Sequence, residues 1–100
     1  LRYKSEAFDF VFTNIFDHSL YPEKFVAEME RVCKEGGHIV INLQLHTVGD
    51  EYSENLVNDP IEVVKLFLHS KMIVSRKIRN SFDGMNWEIV MRRGIAYPVL

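Results

Sequence analysis

The chain has 100 residues, 47% of them apolar, and a formal net charge of −2 from 12 basic and 14 acidic residues. That is the length of one small domain, with apolar side chains enough for a packed core, and the slightly acidic balance argues against the clustered positive surface of a nucleic-acid binder. No apolar run reaches the ~18 residues of a membrane span, the opening residues do not read as a signal peptide, and the lone Cys33 excludes a disulfide framework and a paired-cysteine metal site, with a reducing, cytoplasmic compartment as the default.

The first element is "FDFVFT", residues 8–13. Its alternation sends Phe8, Phe10 and Phe12 one way and Asp9, Val11 and Thr13 the other, and apolar residues on both faces predict a strand covered on both sides, as in a parallel sheet. A loop over residues 14–21 leads to Pro22, which pre-sets a first helical turn, with Glu23 favourable to the helix dipole. Phe25, Val26, Met29, Val32 and Cys33 form one helical stripe. Lys24 with Glu28, and Glu30 with Lys34, fall at i,i+4 on the expected solvent side. The helix is predicted to end at Lys34 or Glu35, with Gly36 in the left-handed conformation of a helix terminus. Glycines after a helix and before a strand stand in the reverse of the order a phosphate cradle needs. A strand over His38–Leu43, "HIVINL", follows.

Residues 44–58 read as a long polar loop. The run "DPIE" reads as a helix start, with Asp59 capping, Pro60 at the first position, Glu62 closing a capping box, and Ile61, Val64, Phe67 and Leu68 as the buried stripe through about Ser70. Met72–Arg79 reads as a strand. Asp83-Gly84 is a turn signal, and Trp87, Ile89 and Met91 alternate with Glu88, Val90 and Arg92. The last two runs are expected to pair as an antiparallel hairpin at one sheet edge. Arg76-Lys77-Ile78-Arg79 and Arg92-Arg93 read as solvated strand edges. The order strand, helix, strand, helix, strand, strand implies parallel crossovers with helices on the sheet faces.

The segment "FDFVFTNIFDHSLYPEKFVAEMERVCKEGGHIVINL" resembles the second half of a small class I S-adenosylmethionine-dependent methyltransferase of the type 11 kind. The matching residues are Phe8-Asp9, His18, Glu28, Arg31-Val32, Lys34, Gly36-Gly37 and Ile39-Val40-Ile41. Cys33 stands where that family commonly has Leu, and Glu35 where it commonly has Pro. The resemblance covers most of residues 7–93 and implies a partial doubly wound Rossmann-like sheet, the fourth to seventh strands of the full one. It treats residues 1–100 as one domain, the C-terminal half of a methyltransferase domain with its core at 7–93. It also implies an S-adenosylmethionine cofactor, although the sequence contains no GxGxG loop to approach it; that loop and the first three strands are expected upstream of Leu1, leaving this chain inactive by itself.

Ligands of open α/β sheets bind beyond the carboxyl ends of the strands. Asn14 and Ile15 stand past the first strand, where the resemblance implies they border the methionine part of the cofactor. His18 is the candidate acid–base residue, its unperturbed pKa of about 6.5 suiting proton removal from a hydroxyl or amine. Asp17 stands beside it, to orient it or to cap the loop, and His46 is a candidate substrate contact, with a solvated loop position its expected use. Tyr52, Phe82 and Trp87 are candidate substrate-facing aromatics, with packing the expected use of Trp87. Asp9 sits at the wrong end of its strand for binding, Cys33 reads as a core thiol, and the four histidines show no metal-ligand spacing.

Two functions from different classes fit: part of a methyltransferase acting on a small molecule, and a methyltransferase-like interaction domain without the chemistry. Half of a nucleotide-dependent dehydrogenase is a third, disfavoured by the terminal hairpin and "ERVCKEGG". As a sheet edge, Phe8–Thr13 carries no Lys or Pro to block pairing, so self-association through it is expected.

Overall fold

The computed structural model describes residues 3–14, 16, 20–45, 59–78 and 85–94. The strand β1 runs Phe8–Thr13, helix α1 Pro22–Val32, strand β2 Cys33–Leu43, helix α2 Ile61–Val64, strand β3 Ser70–Lys77 and strand β4 Trp87–Arg93. The sheet order is β1-β2-β4-β3. β1 and β2 are parallel, while β4 runs antiparallel to both β2 and β3. The expected antiparallel hairpin stands at one sheet edge: β3 takes the edge itself, and β4 is inserted between β3 and β2. Burial explains this order, because Ile89 and Met91 are fully buried whereas most of β3 is exposed.

Register sorts the two faces. Val11 lies opposite Ile39 and Thr13 opposite Ile41, while Ile39 meets Met91 and Ile41 meets Ile89. Odd-numbered residues of β1, β2 and β4 thus share one face. That face holds the core, with Phe16, Val26 and Met29 on and before α1, Val63 and Phe67 on and after α2, and Ile39, Ile41, Leu43, Ile89 and Met91 beneath them. Each such large side chain contributes about 1.5–3 kcal/mol on leaving water. The even face carries Phe8, Phe10 and Phe12, exposed at 37%, 59% and 50%. Among the described residues both helices pack on the odd face, so these residues cover β1 on one of its two sides.

The junction of α1 and β2 differs most from its sequence pattern. The helix ends at Val32, and Cys33 is already extended, its N–H donating to the Met29 carbonyl. Gly36 has the expected positive φ of 81°, but inside β2, where pairing with β1 jumps from Phe8–Cys33 to Phe10–His38. The glycine supports a bulge rather than a helix terminus. Gly37 is needed for space: a Cβ there would lie 2.6 Å from the Asp9 carbonyl oxygen and 2.9 Å from Cys33 Sγ.

The predicted surface pairs of α1 also rearrange. Glu30 is only 3% exposed. Its carboxylate accepts from the Leu68 and His69 N–H groups at 3.1 and 2.7 Å and from the Ser70 hydroxyl at 2.6 Å, stapling α1 to the chain entering β3. Lys34 instead faces Asp9 at 3.6 Å, Glu28 pairs with Arg31, and the Lys24 ammonium lies 5.1 Å from the centre of the Tyr21 ring. Arg93, expected at a solvated edge, is buried and donates from Nε to the Glu30 carbonyl at 2.8 Å.

In α2, the Asp59 side chain accepts from the Ile61 N–H at 3.0 Å. The helix is one turn long, not the run to Ser70 the pattern suggested. Val63 and Phe67 are buried, whereas Ile61 and Leu68 are exposed, Leu68 at 80%; the chain bends after Val64, so the helical stripe does not continue. His69 consequently lies beyond the helix terminus it was assigned to.

Candidate functional site

Backbone groups leave the ladder past Thr13 and Leu43, and the parallel strands β1 and β2 bring these two carboxyl ends side by side. On the odd face, Thr13 is buried beside Ile41. The chain beyond β1 is anchored by Phe16, which is buried and meets Phe25 of α1 edge-on, ring centres 6.0 Å apart. The chain beyond β2 is held by Asn86. Its N–H donates to the Leu43 carbonyl at 2.9 Å. Its side chain accepts from the Leu45 N–H at 2.8 Å and donates to the Leu45 carbonyl at 3.2 Å.

On the even face a polar row crosses the sheet at this same end. Asn42 lies opposite Glu88, and Glu88 opposite Arg76. Arg76 Nε donates to Glu88 Oε1 at 2.8 Å, and its Nη2 lies 2.6 Å from the same oxygen. One residue past the Thr13–Ile41 pair, the register sets half-buried Asn14 abreast of Asn42. The Asn42 Oδ1 is buried without a hydrogen-bond partner. A buried acceptor left unpaired is costly, so this atom is suited to a donor from a ligand. Directly below runs an apolar row, Phe12, Val40, Val90 and Val74. Together the two rows form a polar rim over an apolar floor, beside the open edge of β1.

Of the residues singled out from sequence, Asn14 stands at this rim. Ile15, Asp17, His18 and His46 lie outside the described residues, as do Tyr52, Phe82 and the Asp83-Gly84 turn. Trp87 packs against the core and donates from its indole N–H to Ser75 Oγ at 2.8 Å. Sequence reading missed Asn42, Glu88, Arg76 and Asn86. The one available signal was register: Asn42 is the polar interruption in an otherwise apolar "HIVINL" and falls at the ligand-binding end.

The cavities of about 470 Å³ are elsewhere. One lies between α1 and the Lys65–His69 bend, beside Glu30 and Arg93, and another beside Gly36, Lys71 and Arg92. Both are lined by Arg93, at the end of β4 that runs beside the start of β2, the end of an α/β sheet opposite to the one where ligands bind. Among the described residues, no group of three or more His, Cys, Asp or Glu is arranged to hold a metal ion, and no helix is long and apolar enough to cross a membrane.

The fold has counterparts among solved structures. Residues 1–41 match the family described as methyltransferase domain. The fold is that of the class I methyltransferases. A Burkholderia thailandensis 1,6-didemethyltoxoflavin-N1-methyltransferase, solved with 1,6-didemethyltoxoflavin and S-adenosylhomocysteine, superposes with TM-score 0.67 at 13% identity, over 93% of this chain and 47% of that one. A S-adenosylmethionine-dependent methyltransferase of Methanosarcina mazei gives 0.69 at 14% identity, over 96% of this chain and 64% of the other. The [4+2]-cyclase SpnF shares the fold, with TM-score 0.67 at 13% identity, over 96% of this chain and 53% of that one. The methyltransferase-like chain thus spans 47–64% of these structures' lengths. None of the curated proteins matches its sequence.

Proposed function

We propose that the chain is the C-terminal half of a S-adenosylmethionine-dependent methyltransferase domain acting on a small molecule. The carrying observation is the polar rim at the carboxyl ends of the strands, where Asn14 stands abreast of Asn42, whose Oδ1 is buried and unpartnered among the described residues. Both helices pack on the odd face, so a sheet continued past β1 with helices on the other face would reverse its winding there, at the position where doubly wound folds bind ligands. The residues present fit one wall of such a pocket.

When bound, S-adenosylmethionine supplies an electrophilic methyl group. The chain's own part is alignment, because direct displacement depends above all on placing donor and acceptor in line. Asn14 and Ile15 would border the methionine part, and Asn42 would accept a hydrogen bond from a ligand donor. The apolar row Phe12, Val40 and Val90 would exclude water. His18, oriented by Asp17, would take the proton that an acceptor hydroxyl or amine gives up as its new bond to carbon forms, and His46 would face the substrate. The Gly-rich loop that holds the cofactor would come from upstream of Leu1. The test is the protein extended upstream of Leu1: S-adenosylhomocysteine should raise its melting temperature and Asn14→Ala should weaken that effect. No shift at saturating ligand would overturn the reading.

A second reading, a domain of this fold that does not transfer methyl groups, is favoured by the cyclase among the similar structures. Fold alone does not fix chemistry. Turnover of methyl-labelled cofactor separates the two: a domain that binds the cofactor without ever releasing label supports the second.

A further inference from the structure

Arg93 is a cation buried without a counter-ion. It is only 8% exposed. Its Nε donates to the Glu30 carbonyl at 2.8 Å and its Nη1 to the Gly94 carbonyl, both neutral backbone oxygens. The Glu30 carboxylate is committed to the Leu68 and His69 N–H groups and the Ser70 hydroxyl. Among the described residues no carboxylate pairs with Arg93, and its Nη2 has no acceptor. A buried charge is costly unless it is paired.

Two further cations stand beside it. Lys71 and Arg92 are exposed and directly opposed across β3 and β4. Like charges so placed destabilise a sheet. Neither has an ion-pair partner among the described residues. Lys71, Arg92 and Arg93 line one cavity of about 470 Å³, together with Glu35, Gly36 and Gly94. Gly36 presents bare backbone to this cavity, and a Cβ there would lie 4.0 Å from Arg92 Nη2.

We propose that this cavity binds a phosphate group, free or carried by a small molecule, between Lys71, Arg92 and Arg93. Two guanidinium forks and an ammonium suit a tetrahedral dianion, whereas a carboxylate brings two oxygens and a single charge. Three cations face one carboxylate, Glu35, among the lining residues. The volume is that of a small-molecule site, which favours a phosphate carried on an organic body over the free ion. The site is built from β2, β3 and β4 and lies at the opposite end of the sheet from the polar rim. It therefore goes beyond the methyltransferase reading, and a strand added at β1 leaves all three cations in place.

The test is amide NMR of the protein extended upstream of Leu1, titrated with phenyl phosphate, inorganic phosphate or benzoate at constant ionic strength. Phenyl phosphate should shift the Gly36, Lys71 and Gly94 amides saturably and bind more tightly than inorganic phosphate; the reverse order assigns the site to the free ion. Lys71→Ala and Arg92→Ala, both exposed and safe for folding, should each weaken binding roughly tenfold or more. Glu35→Gln should strengthen it, and Lys24→Ala, beside the Tyr21 ring, should leave it unchanged. Raising salt from ~50 to ~500 mM should weaken it by screening. Benzoate binding as tightly as phenyl phosphate, shifts that never saturate, or binding indifferent to both Lys71→Ala and Arg92→Ala would each overturn the proposal. S-adenosylhomocysteine is titrated separately and should not compete, so failure of either site leaves the other standing.

Discussion

Replacing the buried Glu30 by Ala should be among the most damaging single changes in α1. The substitution leaves the Leu68 and His69 N–H groups and the Ser70 hydroxyl without their acceptor. The hydroxyl can turn toward water. The two amides are held against α1, and an unpaired buried donor costs about 1–3 kcal/mol. Because Leu68 and His69 themselves are exposed, water will reach part of the gap, and a loss of about 2–4 kcal/mol follows. A domain this size has roughly 5–15 kcal/mol in all. With a urea dependence of ~1–3 kcal/mol per molar, the unfolding midpoint should fall by roughly 1–4 M. Glu28→Ala is the control, since its exposed pair with Arg31 should contribute no more than about 1 kcal/mol. Pairing Glu30→Ala with Ser70→Ala in a double-mutant cycle should give less than additive losses. If Glu30→Ala and Glu28→Ala unfold within about 1 kcal/mol of each other, the staple does not hold β3 to α1 and the reasoning is wrong.

Gly37→Ala should destabilise by about 1–3 kcal/mol through overpacking against the Asp9 carbonyl and Cys33. Gly36→Ala, whose Cβ would meet only Arg92 Nη2 at 4.0 Å but whose φ is positive, should cost about 1–2 kcal/mol through backbone strain; urea midpoints of the two variants check both. Burial pushes the Cys33 thiol above its ordinary value of 9.0, despite the opposing charge of Arg93. The folded state therefore holds that proton more tightly, so the associated stability is complete below the unfolded thiol's pKa and lost as pH rises through the folded one. Disulfide reagents should accordingly label Cys33 only at the rate of unfolding near neutral pH, and rapid labelling of folded protein at pH 7 would contradict this. Asn86→Ala removes both side-chain bonds to Leu45 and should cost about 1–3 kcal/mol, with hydrogen exchange accelerated more at the Leu45 amide than within β2.

The local signals were legible where one interaction decides the structure. "FDFVFT" gave β1 its span, and Pro22 the start of α1. They failed where a distant partner outweighs local preference. Glu30 looks like half of a surface ion pair with Lys34, but three donors nearly forty residues away take its carboxylate. The stripe from Phe25 to Cys33 runs one residue past the helix because a buried Cys33 suits a strand as well as a helix. A helix stripe through Leu68 was misread because the chain bends after Val64 and turns Leu68 outward. In β1, alternation assigned the faces correctly but could not say which of them the described residues cover. At the candidate site, Asn14 was found from its place after a strand, whereas Asn42, Glu88 and Arg76 come together only through the register of three strands.

The most direct test of the account is the melting temperature of the protein extended upstream of Leu1, measured with and without S-adenosylhomocysteine. At about one hundred times the dissociation constant, binding adds about 2.7 kcal/mol. For a domain roughly twice this length that is a rise of about 5–10 °C, and the 100-residue chain measured alongside should show none. An extended protein whose melting temperature does not move would contradict the assignment of the strand ends to a cofactor pocket.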